Sequence, residues 1–116
     1  MTRRGDEIGR PNPWTVRAAD RRAGIGWDIL LRQVPEATDR AWVCITADPR
    51  RTDSRQHRLK GSLGLVTVGN RSMEQWQFEV TAGGRVWYGI DDAARTLWIT
   101  HAGTAHPRQT DRGKHG

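Results

Sequence analysis

The chain of 116 residues has the length of one domain, and its 35% hydrophobic residues with 13 glycines are typical of a folded globular chain. No apolar run approaches the ~20 residues that a membrane-spanning helix needs, and no hydrophobic segment follows the basic N-terminus. The single Cys44 excludes an internal disulfide and the cysteine pairs of a structural zinc site. We therefore expect a soluble cytoplasmic protein that does not act at a membrane.

The charge is strongly basic, with a formal net charge of +6, and arginine supplies 17 of the 19 basic residues. Arginine binds phosphate in a bidentate manner, so this composition favours a polyanionic partner. Residues 50–60 concentrate the charge, because they contain five basic residues and only one acid, Asp53. The alternative interpretation of this segment is a basic loop that is merely solvated.

The first part of the chain predicts a short strand and two helices. Residues 1–11 and 108–116 have no periodicity, so we predict flexible tails around a domain of residues 12–107. Trp14 to Val16 reads as a strand. Apolar residues at helical spacing from Ala19 to Val34 predict a first helix that Pro35 ends. The same spacing from Ala37 to Ile45 predicts a second helix, antiparallel to the first.

The second part of the chain changes to a period of two, which predicts strands over residues 63–68, 73–81, 85–90 and 95–100. Trp76, Phe78 and Val80 alternate with polar residues, so one face of this sheet is expected to be buried. The order of the elements predicts an α+β fold, with the helical hairpin packed on one face of a twisted antiparallel sheet of about four strands.

The other face of the predicted sheet has an unusual composition. Alternation places Gln77, Glu79, Arg85, Trp87 and Trp98 on the face that points away from the helices. Exposed tryptophans beside an arginine suit an anionic chain whose bases can stack. The alternative is that the two tryptophans form a minor core.

Four segments carry a resemblance to a known family. They are Arg55-Gln-His-Arg-Leu-Lys-Gly61, Trp76-Gln-Phe-Glu-Val-Thr81, Gly83-Gly-Arg-Val-Trp-Tyr88 and Ala102-Gly-Thr-Ala-His-Pro107. Together they resemble the RelE/ParE superfamily of toxins from type II toxin–antitoxin systems, in an actinobacterial-looking branch. The resemblance implies a RelE-like fold and a cognate antitoxin as partner. In the RelE and YoeB branches it also implies an endoribonuclease that cuts messenger RNA in the A site of the small ribosomal subunit.

The resemblance also implies roles for individual residues. Arg85 corresponds to the strand arginine that contacts the scissile phosphate, and His106 to the C-terminal histidine, the candidate general acid. Glu79 stands where relatives have a basic residue, and it either acts as the general base or only pairs with Arg85. His57 is the second candidate for the base. The residues expected to bind RNA or the ribosome are Arg55, His57, Arg58, Lys60, Gln77, Trp87 and Arg108.

Other chemistries and functions have weaker support in the sequence. The four histidines lack an H-E-x-x-H motif or cysteine partners, so we expect neither a metal site nor another cofactor. Tyr88 alternates onto the helix side, where we expect it to be a core residue. The alternative function is that of a ParE-like toxin, which inhibits DNA gyrase by binding it and has no nuclease activity.

Overall fold

The computed structural model describes residues 1–104, which form a two-layer α+β fold. After strand β1 (Thr15–Ala18) come helices α1 (Arg21–Gln33) and α2 (Pro35–Ala47). Asp20 caps α1, since its carboxylate accepts a hydrogen bond from the N–H of Ala23 at 2.8 Å. Only Val34 separates the helices, and Pro35 begins α2, a position where the missing N–H of proline costs nothing. The predicted helical hairpin is confirmed.

The sheet contains six strands: β1, β2 (Gln56–Arg58), β3 (Leu65–Val68), β4 (Arg71–Glu79), β5 (Arg85–Asp91) and β6 (Thr96–Gly103). Their order is β1-β6-β5-β4-β2, and β3 also pairs with β4, next to β2. All pairs are antiparallel except β1 with β6, which is parallel.

The four predicted strands are present as β3 to β6 and pair antiparallel, but the sheet has six strands and not about four, and β1 joins it in parallel. β2 is only three residues long and lies within residues 50–60, the basic segment, where no apolar alternation indicates a strand. β1 pairs with β6, about 80 residues further along the chain, and no local pattern encodes such a pairing.

The core lies between the helices and the sheet. Its buried members from the helices are Ala23, Leu30, Ala41 and Ile45, and those from the sheet are Trp76, Phe78, Val80, Val86, Tyr88, Ile90, Leu97, Ile99 and Ala102. α1 lies so close to β6 that a Cβ at Gly26 would overlap the carbonyl oxygen of Ala102. None of the helices in residues 1–104 is long and apolar enough to cross a membrane.

Candidate functional site

The face of the sheet opposite the helices carries a row of four side chains, one on each of four adjacent strands. Strand register places His57 of β2 opposite Gln77 of β4, Gln77 opposite Trp87 of β5, and Trp87 opposite His101 of β6. We call these four residues the central row. Their neighbours along the strands, Trp76, Phe78, Val86 and Tyr88, are in the core. The expected separation of the two faces is thus confirmed for β4 and β5.

Hydrogen bonds connect the first three members of the central row. The indole Nε1 of Trp87 donates to Oε1 of Gln77 at 2.9 Å, and Nε2 of Gln77 lies 3.5 Å from Nε2 of His57. The other ring nitrogen of His57, Nδ1, lies 3.0 Å from the carbonyl oxygen of Arg58. At the other end of the central row, the rings of Trp87 and His101 are in edge-to-face contact, with their centroids 5.7 Å apart.

Trp87 differs from its predicted state. It points away from the helices as expected, but it is only 4% exposed, so its ring is not the open surface for base stacking that the sequence predicts. Gln77 and His101 lie against it and account for part of this burial. Its membership of the binding set stays a prediction.

His101 is a member of the row that the sequence analysis missed. The predicted strand ended at Thr100, but β6 continues to Gly103 through a register shift, at which Trp87 pairs with His101 and Tyr88 with Ile99. Thr100 is therefore the extra residue of a β-bulge, and its hydroxyl hydrogen-bonds to Gln75 on the same side of the sheet as His101. Apolar residues at 97, 99 and 102, with one position skipped, are the signal that could have indicated the bulge.

Arg85 and Glu79 face each other in the next cross-strand row on the same face, about 7 Å along the strands. Nη2 of Arg85 lies 3.4 Å from Oε1 of Glu79, and their side chains are 13% and 31% exposed. Nη1 of Arg85 also lies 3.0–3.2 Å from three carbonyl oxygens of the turn between β4 and β5, those of Thr81, Ala82 and Gly84. The pairing that the sequence allows between these two side chains is thus present, together with bonds to the turn that it does not indicate.

The basic segment carries less free charge than its composition indicates. Arg50 forms ion pairs with Glu74 at 3.1 Å and Asp92 at 2.8 Å, and hydrogen bonds from Arg50 lower the pKa values of both carboxyl groups. Arg51 pairs with Asp53 at 2.9 Å.

Arg55, Arg58 and Lys60, which the sequence predicts to bind RNA or the ribosome, lie at or beside β2. Arg55 reaches the carbonyl oxygen of Glu79 at 3.3 Å, and the guanidinium of Arg58 reaches that of Gly64 at 3.0 Å. Neither arginine forms an ion pair within residues 1–104, although the charge of Arg58 contributes to lowering the pKa of Glu74, and Lys60 is exposed. The three cations lie along one edge of the sheet, next to the end of the central row that His57 occupies.

Two other predictions concern Tyr88 and the C-terminal residues. Tyr88 is confirmed as a core residue: it is fully buried, its hydroxyl donates to the carbonyl of Pro49 at 2.7 Å, and burial raises its pKa. His106, Arg108 and the domain boundary at residue 107 lie outside the described residues. In residues 1–104, no group of three or more histidine, cysteine, aspartate or glutamate side chains is placed to bind a metal ion.

Comparison with known proteins gives one informative likeness. No protein-family model matches the sequence, and no curated protein matches it either. A solved structure from Helicobacter pylori, described as a metal-bound toxin, superposes with a TM-score of 0.54 at 16% sequence identity. The alignment covers 78% of this chain and 92% of the toxin. At this identity the likeness is one of fold, and this chain shares its fold with that toxin.

Proposed function

We propose that this chain is the toxin of a type II toxin–antitoxin system and that it cleaves messenger RNA on the ribosome without a metal ion. One observation carries the proposal: an imidazole, a carboxylate and a guanidinium lie in two adjacent rows on the face that the helices leave open. These groups belong to His57, Glu79 and Arg85. The fold shared with a toxin and the resemblance to the RelE and YoeB branches support the same conclusion.

The chemistry of the proposed reaction explains why these groups belong together. RNA cleavage through its own 2′-hydroxyl needs a base for the hydroxyl proton, a cation for the pentavalent phosphorane and an acid for the departing 5′-oxygen. Arg85 supplies the cation, and His57 and Glu79 are the candidates for the base. His106 is the candidate acid by resemblance. Arg55, Arg58 and Lys60 supply positive charge beside the row, where the flanking phosphates of the RNA would bind.

A second function has one specific observation in its favour. The guanidinium of Arg85 already bonds three turn carbonyls and the Glu79 carboxylate, as an arginine with a purely structural role would. In a ParE-like inhibitor of DNA gyrase, which has no nuclease chemistry, Arg85 would need no other function. In the nuclease, the scissile phosphate would have to replace Glu79 as the anionic partner of Arg85.

The experiment that separates the two functions uses one protein preparation in two assays. The purified chain is added to a translating extract, and message cleavage is mapped by primer extension; the same chain is added to a gyrase supercoiling reaction. We expect cuts at discrete positions in translated messages and unchanged supercoiling. Inhibited supercoiling with intact messages would favour the gyrase inhibitor, and no effect in either assay would contradict both functions.

A further inference from the structure

The central row favours one tautomer of the neutral His57 ring through a hydrogen-bond chain with only one consistent direction. The chain starts at Nε1 of Trp87, which can only donate, so the atom of Gln77 that it meets at 2.9 Å must be the amide oxygen. The other end of the Gln77 amide is then its NH2 group, which also can only donate. This NH2 group faces Nε2 of His57.

The imidazole of His57 must therefore accept at Nε2. In a neutral imidazole the proton then lies on Nδ1, and Nδ1 faces the carbonyl oxygen of Arg58, which can only accept, at 3.0 Å. The donor-only indole at one end and the acceptor-only carbonyl at the other independently require the same tautomer. The opposite tautomer would place two N–H groups against each other at Nε2 and leave a lone pair facing a carbonyl at Nδ1.

We infer that Gln77 and Trp87 are positioning residues that hold His57 with an unprotonated Nε2, and that this nitrogen is the general base. The second part rests on the proposed function. The distance of 3.5 Å between Gln77 and His57 is at the long limit of a hydrogen bond, so a hydroxyl donor at about 2.8 Å can displace the amide. His57 is also partly exposed, whereas Trp87 is buried, so RNA can reach His57 but not the indole that starts the hydrogen-bond chain.

The proton and electron pairs balance in this step. The proton of the 2′-hydroxyl moves to Nε2 of His57 while the 2′-oxygen forms its bond to phosphorus. The bond between phosphorus and the 5′-oxygen breaks, and that oxygen leaves with a proton from the acid. Glu79 is then free to keep its ion pair with Arg85 until phosphate binds, so it has no need to accept the proton.

Histidine ¹⁵N NMR tests the tautomer without any assay of activity. Protein labelled at its four histidines is measured near pH 8, above the ordinary pKa of imidazole at about 6.5, and His57 is assigned by comparison with His57→Asn. We expect a protonated Nδ1 and an unprotonated Nε2. Trp87→Phe removes the donor that orients Gln77 and should weaken the preference for this tautomer, because only the Arg58 carbonyl then favours it. Gln77→Glu presents an acceptor-only carboxylate to Nε2 and should favour a proton on Nε2, while Nδ1 keeps its proton against the Arg58 carbonyl.

A matched control is available on the same face. Trp98→Phe removes an indole that donates to Asp91 at 3.4 Å, outside the central row, and should leave the His57 signals unchanged. A protonated Nε2 in the wild type, or His57 signals in Trp87→Phe that equal those of the wild type, would overturn the positioning role. These readouts hold for any variant whose spectrum shows that it is folded.

Single-turnover cleavage then tests the catalytic role of His57. If Nε2 is the base, Gln77→Glu should lower the rate by ~10²- to 10⁴-fold, the typical contribution of a general base. A normal rate in this variant, with Nε2 shown to be protonated, would overturn the assignment of the base. If the wild type has the expected tautomer and cuts no RNA, the proposed function fails and only the positioning of His57 stands.

Discussion

Arg85 shows how one side chain serves both the local structure and the proposed chemistry. Its Nη1 atom bonds the three carbonyls of the turn after β4, which directs the guanidinium toward Glu79. A group held on several sides loses little freedom when a phosphate arrives, and preorganised cations of this kind stabilise a developing charge efficiently. The same bonds mean that Arg85 cannot be removed without loosening the turn.

We expect Arg85→Ala to lower single-turnover RNA cleavage by ~10²- to 10³-fold, the typical cost of removing one group that stabilises charge in the transition state. The variant should also lose about 1–3 kcal/mol of unfolding free energy, because partly buried acceptors in the turn lose a charged donor. Cleavage is measured well below the midpoint of thermal unfolding, so that the two effects separate.

Arg71→Ala is the matched control for Arg85→Ala. It also removes an arginine from an ion pair, with Asp91 at 2.7 Å, but at the opposite end of β4 and β5. We expect its cleavage rate to equal that of the wild type. Wild-type cleavage by folded Arg85→Ala would show that the arginine supports only the turn.

At the scale of elements, two glycines in α1 have opposite roles that the sequence does not distinguish. Both lower helix propensity. A Cβ at Gly24 would lie 3.5 Å from the Cβ of Ala18, which is an ordinary contact, whereas a Cβ at Gly26 would overlap the backbone of Ala102 in β6. Gly26 is thus needed for the close approach of α1 to the sheet, and Gly24 is not.

We expect Gly24→Ala to raise the unfolding free energy by about 0.5–1 kcal/mol, because alanine is the better helix former and has room. Gly26→Ala should lower it by about 1–3 kcal/mol, because β6 must shift away from the helix. Urea denaturation of both variants measures the difference. Both variants replace a glycine of α1 by alanine, so equal changes in unfolding free energy would contradict the close packing of α1 on β6.

Periodicity predicted the elements that have a buried stripe and missed those that depend on distant partners. The apolar spacing of α1, α2 and β4 follows directly from packing against one core, and all three are confirmed. β2 has no apolar stripe. It is held to β4 by backbone hydrogen bonds, and its buried side chain is the polar Gln56. The parallel pairing of β1 with β6 is set by the whole chain, so no window of sequence contains it.

The candidate site shows the same limit. Alternation correctly placed Gln77, Glu79 and Arg85 on the face without helices, because strand geometry alone fixes which side a residue faces. It could not show that Gln77 lies between Trp87 and His57, since that requires the register of three strands. It also could not reveal that the Trp87 ring is covered, which depends in part on a bulge in β6.

At the scale of the whole molecule, Arg50 joins three distant parts of the chain. It extends from the loop after α2 to Glu74 on β4 and to Asp92 beyond β5. Its hydrogen bonds lower the pKa values of both carboxyl groups below their ordinary values of 4.5 and 3.8. Depressed folded-state pKa values add stability above the unfolded-state values, and this stability is lost as the pH falls through the folded-state values.

The free energy of unfolding should therefore fall as the pH drops below about 4.5, and Arg50→Gln should weaken this dependence. Urea titrations at several pH values between 6 and 2, a range around the ordinary carboxyl pKa of about 4, measure it. Arg40→Gln is the control, because Arg40 forms no ion pair within residues 1–104. An identical pH dependence in Arg50→Gln and the wild type would show that the network does not stabilise the fold.

The excess of positive charge predicts how the molecule would bind RNA in the proposed function. Arg50 and Arg51 are paired with carboxylates, so the basic segment offers Arg55, Arg58 and Lys60 to a polyanion. Replacing these three residues with glutamine should weaken binding to RNA or ribosomes. It should also reduce the slope of log affinity against log salt by up to about 2, at ~0.7 for each phosphate contact on a single strand. Filter retention between about 50 and 200 mM salt measures both quantities.

The rate of bond cleavage at saturating RNA should change far less, because these cations hold phosphates and exchange no protons. Arg50→Gln is the matched control, since it removes a charge from the same segment that Glu74 and Asp92 already neutralise, and its salt slope should equal that of the wild type. If the triple variant kept the wild-type slope, RNA would have to bind another surface, and the cations at β2 would be merely solvated. If Arg50→Gln lost as much slope as the triple variant, binding would follow total charge and not the placement of cations beside the central row.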